Sequence, residues 1–252
     1  MKQYGLIGYP LGHSFSKRFF TEKFLHEHIN AIYSNFEIEQ PEKIVDIINK
    51  KPDLYGLNCT IPHKESIIPL LDEVSEQAKK IGAVNVIKII RKDGRTKLIG
   101  HNSDIIGFTE SIKPLLKPHH KKALILGTGG AAKAVCAALD NLNIKWTLVS
   151  RNEGANKLTY TDITEAVLRE HTLVVNCSPV GMFPHVDKAP ELPYQALTPL
   201  HLLYDLVYNP EETLFLKSGK AAGATTKNGI EMLELQALAS WKIWNSQCNT
   251  TE

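Results

Sequence analysis

Residues 123–132, ALILGTGGAA, decide the fold of this chain. A short apolar strand ends at Leu126, and the glycines after it fit the pattern G-x-G-x-x-[GA] at the start of a helix. The first glycine permits a tight turn, and the second lets the backbone approach a pyrophosphate. The stretch predicts a Rossmann-type domain whose loop binds a dinucleotide at a helix N-terminus, with a plain strand-to-helix turn as the alternative.

Strands and helices alternate on both sides of this loop. Before it, apolar runs predict strands at 4–9, 33–38, 54–60, 83–90 and 97–100, the last two forming a hairpin around residues 92–94. After it, strands are predicted at 145–149, 172–177, 202–207 and 224–226. Helices are predicted near Ser16, Pro41, Pro62 and Asp104, and over 229–244. This alternation favours an α/β fold with a mostly parallel sheet, and 252 residues suffice for two modest domains.

Composition and charge exclude several classes of partner. A net charge of +2 is too weak to indicate a nucleic-acid or acidic-membrane surface. No apolar run approaches the ~20 residues that cross a bilayer, and glycines and Pro10 interrupt the N-terminal segment, so no secretory signal is predicted. The four cysteines lack C-x-x-C spacing, and the histidines lack the H-E-x-x-H pattern. We therefore expect a cytoplasmic protein with no metal, nucleic-acid or membrane partner.

The end of the second strand of the Rossmann-type domain bears on the choice of dinucleotide. NAD-binding folds usually place an acid there for the ribose 2′-hydroxyl. This chain has Ser150-Arg151-Asn152 instead, and the permanently charged fork of Arg151 suits a 2′-phosphate. A solvated surface arginine is the alternative, and acidic Glu153 follows two residues later. The missing acid and the arginine together favour NADP.

Lys64 and Asp104 each lie near the start of a predicted helix that follows a strand. Open α/β sheets collect ligands at such strand ends. For Asp104 a structural role is a fair alternative, because acids stabilise helix N-termini, whereas a cation there opposes the helix dipole. Asn58, Asn85 and Asn102 also lie at strand ends, and together they suggest a polar pocket.

Three further polar residues allow either a structural or a ligand-binding interpretation. Ser14 and Ser16 follow the first strand, where they could cap helices or hold a ligand carboxylate. Gln236 interrupts an apolar helix, either as a boundary residue or as a ligand contact.

Taken in order, the motifs resemble those of the shikimate dehydrogenase family over nearly the whole chain. Any one of them is weak, but the ordered series is very specific. Besides the glycine loop at 127–134, the series comprises GYPLGHSFS at 8–16, NCTIPHK at 58–64, GAVN at 82–85, GHNSD at 100–104, NCSPVGM at 176–182, YDLVYNP at 204–210 and NGIEMLELQ at 228–236.

The resemblance implies a substrate-binding (catalytic) domain of residues 1–103 and 230–252, with the C-terminal helix returning to it, and an NADP-binding Rossmann domain of residues 104–229. It implies reversible NADPH-dependent reduction of 3-dehydroshikimate to shikimate, a step toward chorismate and the aromatic amino acids. Lys64 and Asp104 would be catalytic. The implied substrate contacts are Ser14, Ser16, Asn58, Thr60, Asn85, Tyr208 and Gln236. The implied cofactor contacts are Gly127, Thr128, Gly129, Gly130, Ala131, Ser150, Arg151, Asn152, Ser178, Val207 and Gly229.

One stretch departs from the family pattern. The segment from Asn152 to the strand at Thr172 is shorter than usual, and no helix is predicted after Arg151. Two alternatives stay open: a quinate/shikimate dehydrogenase that also uses NAD, and a non-catalytic shikimate-binding relative. The missing acid argues against the first, and the retention of Lys64 and Asp104 argues against the second. A monomer or a homodimer is expected.

Overall fold

The structure, a computed structural model, describes residues 1–12 and 14–246. The chain divides into two compact units, Met1–Ile106 with Glu234–Glu252, and Gly107–Leu233. The first unit thus ends at Ile106 where the resemblance implies residue 103, and it resumes at Glu234 where the resemblance implies residue 230. Within the described ranges, no helix combines the length and the apolar character that crossing a membrane requires.

The regular elements alternate along the chain as the sequence predicts. The strands are β1 (Lys2–Gly8), β2 (Ala31–Glu37), β3 (Leu54–Cys59), β4 (Glu73–Val74), β5 (Val86–Lys92), β6 (Arg95–His101), β7 (Lys122–Leu126), β8 (Lys145–Ser150), β9 (Lys157–Thr159), β10 (Leu173–Asn176), β11 (Leu202–Asp205) and β12 (Thr225–Lys227). The helices are α1 (Phe15–His26), α2 (Ile44–Lys50), α3 (His63–Ser66), α4 (Glu76–Ile81), α5 (Asp104–Ile112), α6 (Gly130–Asn141), α7 (Glu165–Glu170), α8 (Leu214–Ala221) and α9 (Ile230–Asn245).

The sheet of the first unit has the strand order β2-β1-β3-β5-β6-β4. It is parallel except at β5, which runs antiparallel to both β3 and β6. The predicted hairpin between β5 and β6 turns at Asp93 and Gly94, whose φ angles of 52° and 72° suit a two-residue turn. Because β3 and β6 are both antiparallel to β5, they run in the same direction and end at the same edge of the sheet.

Helices cover both faces of this first sheet, because alternate residues of a strand point to opposite sides. Ile7 of β1 packs with Ile44 of α2, whereas Tyr4 of the same strand packs on the opposite face with Trp244 of α9. The backbone of Gly56 allows α9 to come close, since a Cβ there would lie 2.3 Å from Trp244 Cδ1.

The sheet of the second unit is fully parallel, with the order β12-β11-β10-β7-β8-β9. This is the strand order of a Rossmann fold, in which ligands bind where the order reverses, here between β7 and β10. The glycine loop follows β7, so the sheet places it at this reversal.

Three helix predictions need correction. The first helix begins at Phe15 and is capped by Ser14 rather than Ser16, because Ser14 Oγ accepts the Lys17 N–H. Pro41 opens a 3₁₀ turn, and α2 begins only at Ile44. A helix does occur between Arg151 and Thr172, since Thr164 caps the six-residue α7, which is too short to show a clear apolar period.

Candidate active site

Lys64 and Asp104 form an ion pair in the first unit. Lys64 Nζ lies 2.6 Å from Asp104 Oδ2, and the two side chains are 16% and 9% exposed. Lys64 lies in α3, which follows β3, and Asp104 begins α5, which follows β6. Since β3 and β6 end at the same edge of the sheet, the fold brings together two residues that lie far apart in the sequence.

Asn85 fixes the second oxygen of the Asp104 carboxylate. Its Nδ2 donates to Asp104 Oδ1 at 2.8 Å and to Ser103 Oγ at 3.0 Å. Its Oδ1 accepts the Ser103 N–H at 2.7 Å. The carboxylate is therefore held by Lys64 on one oxygen and by Asn85 on the other, which sets its orientation.

Asn58, at the end of β3, belongs to the same buried network. Its Oδ1 accepts a hydrogen bond from Tyr33 OH at 2.8 Å, and its Nδ2 donates to Ser240 Oγ at 2.9 Å and to Asn85 O at 3.2 Å. Both Nδ2 protons of Asn58 are thus used within the protein. The Asn58 side chain is only 4% exposed, so it supports neighbouring residues of the site through these buried hydrogen bonds.

Helix α9 joins this network through Gln236 and Ser240. Ser103 Oγ lies 3.3 Å from Gln236 Oε1 and 3.0 Å from Ser240 Oγ. No role was predicted for Ser103, Ser240 or Tyr33. The spacing of Ser240, one helical turn beyond Gln236, is the signal that could have identified it.

The predicted carboxylate contacts lie just after β1. Ser14 Oγ accepts the Lys17 N–H at 3.1 Å and caps α1. Ser16 lies next to Tyr33, a member of the buried network. Burial raises the pKa of Tyr33, and a hydrogen bond with Ser16 lowers this pKa in part. Thr60 lies close to the end of β1, because a Cβ on Gly8 would come within 2.5 Å of Thr60 Cγ2. These hydroxyl groups therefore lie at the edge where β1 and β3 end.

Asn102 differs from the other two asparagines of the predicted polar pocket. Its Nδ2 donates to Ala83 O at 3.0 Å, and its Oδ1 accepts the Ile105 N–H at 3.3 Å. These bonds hold the start of α5, the helix that carries Asp104. Asn102 is 2% exposed and therefore supports the site through the backbone.

The glycine loop of the second unit fits the phosphates of a dinucleotide. Gly127 has a φ of 117°, a conformation that favours glycine, and a Cβ there would lie 3.3 Å from the backbone of Cys177 and Ser178. A Cβ on Gly129 would meet no atom within 4 Å, so open space adjoins the N-terminus of α6. No side chain caps this helix at Gly129. Uncapped N–H groups beside open space are what a pyrophosphate requires.

A buried carboxylate organises the loops next to this one. Asp205 accepts hydrogen bonds from Asn176 Nδ2 at 2.9 Å, from the Val207 N–H at 3.0 Å and from Thr213 Oγ1 at 2.6 Å. Burial raises the pKa of Asp205 to about 6, although these hydrogen bonds partly oppose the rise. Asn176 Oδ1 in turn accepts the Ser178 hydroxyl at 2.6 Å. Ser178 is thereby held beside the glycine loop.

Val207 and Gly229, the predicted neighbours of the nicotinamide, lie next to each other. The Gly229 N–H donates to Val207 O at 3.2 Å. A Cβ on Gly229 would lie 2.2 Å from Leu206 O, so only glycine fits this backbone approach. Tyr208 follows in the same segment and is half-buried.

At the end of β8, Ser150 Oγ accepts the Asn152 N–H at 3.3 Å, and the Arg151 side chain is exposed. Within residues 1–12 and 14–246, no group of three or more His, Cys, Asp or Glu side chains is arranged to hold a metal ion. Cys59, Cys136 and Cys177 are free thiols, and burial raises the pKa of Cys59 and of Cys136 to about 12. Cys248 lies outside the described residues.

Comparison with known proteins places the chain in a family. A family model described as the shikimate dehydrogenase substrate binding domain matches residues 6–87. A shikimate dehydrogenase (NADP(+)) of Desulforamulus reducens is 36% identical over 95% of this chain and 88% of its own length. One of Caldicellulosiruptor bescii is 38% identical over 97% and 89%. The chain belongs to the shikimate dehydrogenase family.

Solved structures of the shikimate dehydrogenase family share this fold. Shikimate 5-dehydrogenase from Thermus thermophilus, in complex with NADP(H) and shikimate, is 28% identical, with a TM-score of 0.85 over 97% of this chain and 94% of that one. The expected family and the expected α/β fold with a Rossmann-type sheet are thus confirmed.

Proposed function

We propose that this chain catalyses the reversible NADP-dependent reduction of 3-dehydroshikimate to shikimate, a step toward chorismate and the aromatic amino acids. The observation that carries the proposal is the ion pair of Lys64 and Asp104, 2.6 Å apart at a sheet edge with hydroxyl and amide groups. Relatives named shikimate dehydrogenase (NADP(+)) over nearly the full chain support both the substrate and the cofactor.

Lys64 moves the proton in this mechanism. NADPH, when bound, supplies the hydride that reduces the carbonyl carbon. As negative charge develops on the carbonyl oxygen, Lys64 Nζ donates a proton to that oxygen, and in the oxidation of shikimate the amine takes the proton back. Asp104 holds Nζ in place through Oδ2 and is itself oriented by Asn85.

The remaining polar groups of the first unit bind the substrate. We assign the carboxylate to Ser14 and Ser16, and the ring hydroxyls to Thr60, Gln236 and Asp104. The Nδ2 protons of Asn58 and Asn85 are donated within the protein, so we infer that both residues act on the ring mainly by placing their neighbours.

The second unit binds the cofactor. The backbone of Gly127–Ala131 would hold the pyrophosphate, while Ser178, Val207 and Gly229 border the nicotinamide half. Arg151, flanked by Ser150 and Asn152, would bind the 2′-phosphate, because its planar fork matches phosphate oxygens.

The test is to incubate the purified protein with shikimate or quinate and with NADP⁺ or NAD⁺, and to identify the ketone product. We expect 3-dehydroshikimate from shikimate and NADP⁺, with much slower turnover in the other combinations. Comparable rates with quinate and NAD⁺ would favour the broader dehydrogenase, and shikimate binding without turnover would favour the non-catalytic relative. We also propose that the protein is cytoplasmic. We propose that it is a monomer or a homodimer, and analytical ultracentrifugation would distinguish these two states.

A further inference from the structure

The short connection after β8 brings a second basic residue, Lys157, back to the end of β8, where Arg151 lies. Lys157 begins β9 and pairs with Leu148 of β8, and Thr159 pairs with Ser150. Only residues 151–156 join these parallel neighbours, without a helix between them. Parallel strands usually need a connection of about a dozen residues or more. Here Asn156, with a φ of 60°, helps turn the chain back within the short connection.

The Lys157 side chain extends toward the carboxyl end of β8. Its Nζ lies 3.5 Å from Ser150 Oγ, the oxygen that also accepts the Asn152 N–H. Its stem packs over Gly154, because a Cβ at Gly154 would lie 2.3 Å from Lys157 Cε. Gly154 therefore leaves the space that the lysine occupies.

Among residues 1–12 and 14–246, neither Lys157 nor Arg151 forms an ion pair. Burial raises the pKa of Tyr160, just after β9, and the charge of Arg151 lowers it in part, so Arg151 also acts on this segment. Two basic residues and the Ser150 hydroxyl thus lie at the end of β8.

We propose that Lys157 is a second ligand of the cofactor's ribose 2′-phosphate, carried by an edge strand instead of a helix. The proposal rests on the NADP binding proposed above. A phosphate monoester carries up to two negative charges, and Arg and Lys complement each other there, the first as a bidentate fork and the second as a point charge.

The test is calorimetric titration of adenosine 2′,5′-bisphosphate and of adenosine 5′-monophosphate, which differ by the 2′-phosphate. We expect Lys157→Ala to weaken binding of the bisphosphate by about tenfold or more and to leave monophosphate binding unchanged. Gly154→Ala should displace the ammonium without removing its charge and cause a partial loss. Lys157→Arg should retain most of the affinity. Lys145→Ala, at the opposite end of β8, is the control and should change neither.

The outcomes separate this inference from the proposed function. If the wild type binds the bisphosphate more tightly and Lys157→Ala leaves that preference intact, the role of Lys157 is refuted while NADP binding stands. If Lys157→Ala weakens both nucleotides equally, the lysine supports the fold only, and the proposal also fails. If the wild type does not distinguish the two nucleotides, both proposals fail.

Discussion

At the residue scale we assign the proton transfer to Lys64, so its removal should affect turnover more than binding. We expect Lys64→Ala to lower kcat by about 10²–10⁴-fold, the usual effect of a general acid–base group, with a smaller change in KM for shikimate. Steady-state kinetics of shikimate oxidation measure this. The matched control is Lys79→Ala, which removes an exposed ion pair of 2.8 Å with Glu76 and should leave kcat unchanged. A fall of less than about tenfold for Lys64→Ala would refute its role.

Asp205 predicts a pH dependence of stability. Its pKa rises from 3.8 to about 6 on folding because the carboxyl is buried. The folded state therefore binds the proton more tightly, and the resulting stabilisation is complete below the unfolded pKa and is lost as the pH rises through about 6. Between pH 4 and pH 7 the wild type should lose up to about 3 kcal/mol of unfolding free energy that Asp205→Asn, whose side chain does not titrate, keeps. Urea denaturation at both pH values measures the difference, and a constant difference would contradict the assignment.

The sequence predicted the candidate site residues at strand ends, but not the buried residues that form hydrogen bonds to them. Lys64 and Asp104 stood out because both lie near helix starts after predicted strands. Tyr33 did not, because a tyrosine in a strand carries no distinctive pattern, and the only signal for Ser240 is its position one helical turn beyond Gln236. Only the packing of α9 on the first sheet shows that Ser240 bonds to Asn58.

Helix α1 illustrates the element scale, since one residue has both a capping role and a proposed binding role. Ser14→Ala should lower the unfolding free energy by about 1 kcal/mol through loss of the cap. If Ser14 also binds the substrate carboxylate, KM for shikimate should rise while KM for NADP⁺ stays nearly constant. Denaturation and steady-state kinetics measure the two effects.

Ser75→Ala is the matched control for this variant, because Ser75 caps α4 through the Ala78 N–H at 3.3 Å. It should lower stability and leave KM for shikimate unchanged. Equal changes in KM from the two variants would show that Ser14 is a cap alone.

Element prediction failed where segments are short. The six-residue α7 and the three-residue β9 are too brief for an apolar period to emerge. Most of the longer elements were predicted because their apolar residues recur over several turns or alternate along a strand, although the eight-residue α8 was not. Strand β9 forms because β8 offers a free edge, and no local pattern in the sequence reveals that.

At the scale of the whole molecule, we assign proton transfer and cofactor choice to different units. Lys64 and Asp104 belong to the first unit and Arg151 to the second. Lys64→Ala should therefore lower kcat with either cofactor, whereas Arg151→Ala should change the preference between cofactors. The motifs predict this division of roles because each follows a strand end in one of two separate sheets.

The most direct test is the ratio of kcat/KM for NADP⁺ to kcat/KM for NAD⁺ at saturating shikimate, measured for the wild type and for Arg151→Ala. The wild type should oxidise shikimate and prefer NADP⁺. Losing one charge-assisted phosphate contact should reduce the ratio by roughly tenfold or more in Arg151→Ala. A wild type that does not oxidise shikimate or that uses both cofactors equally, or an Arg151→Ala variant with an unchanged ratio, would contradict this assignment.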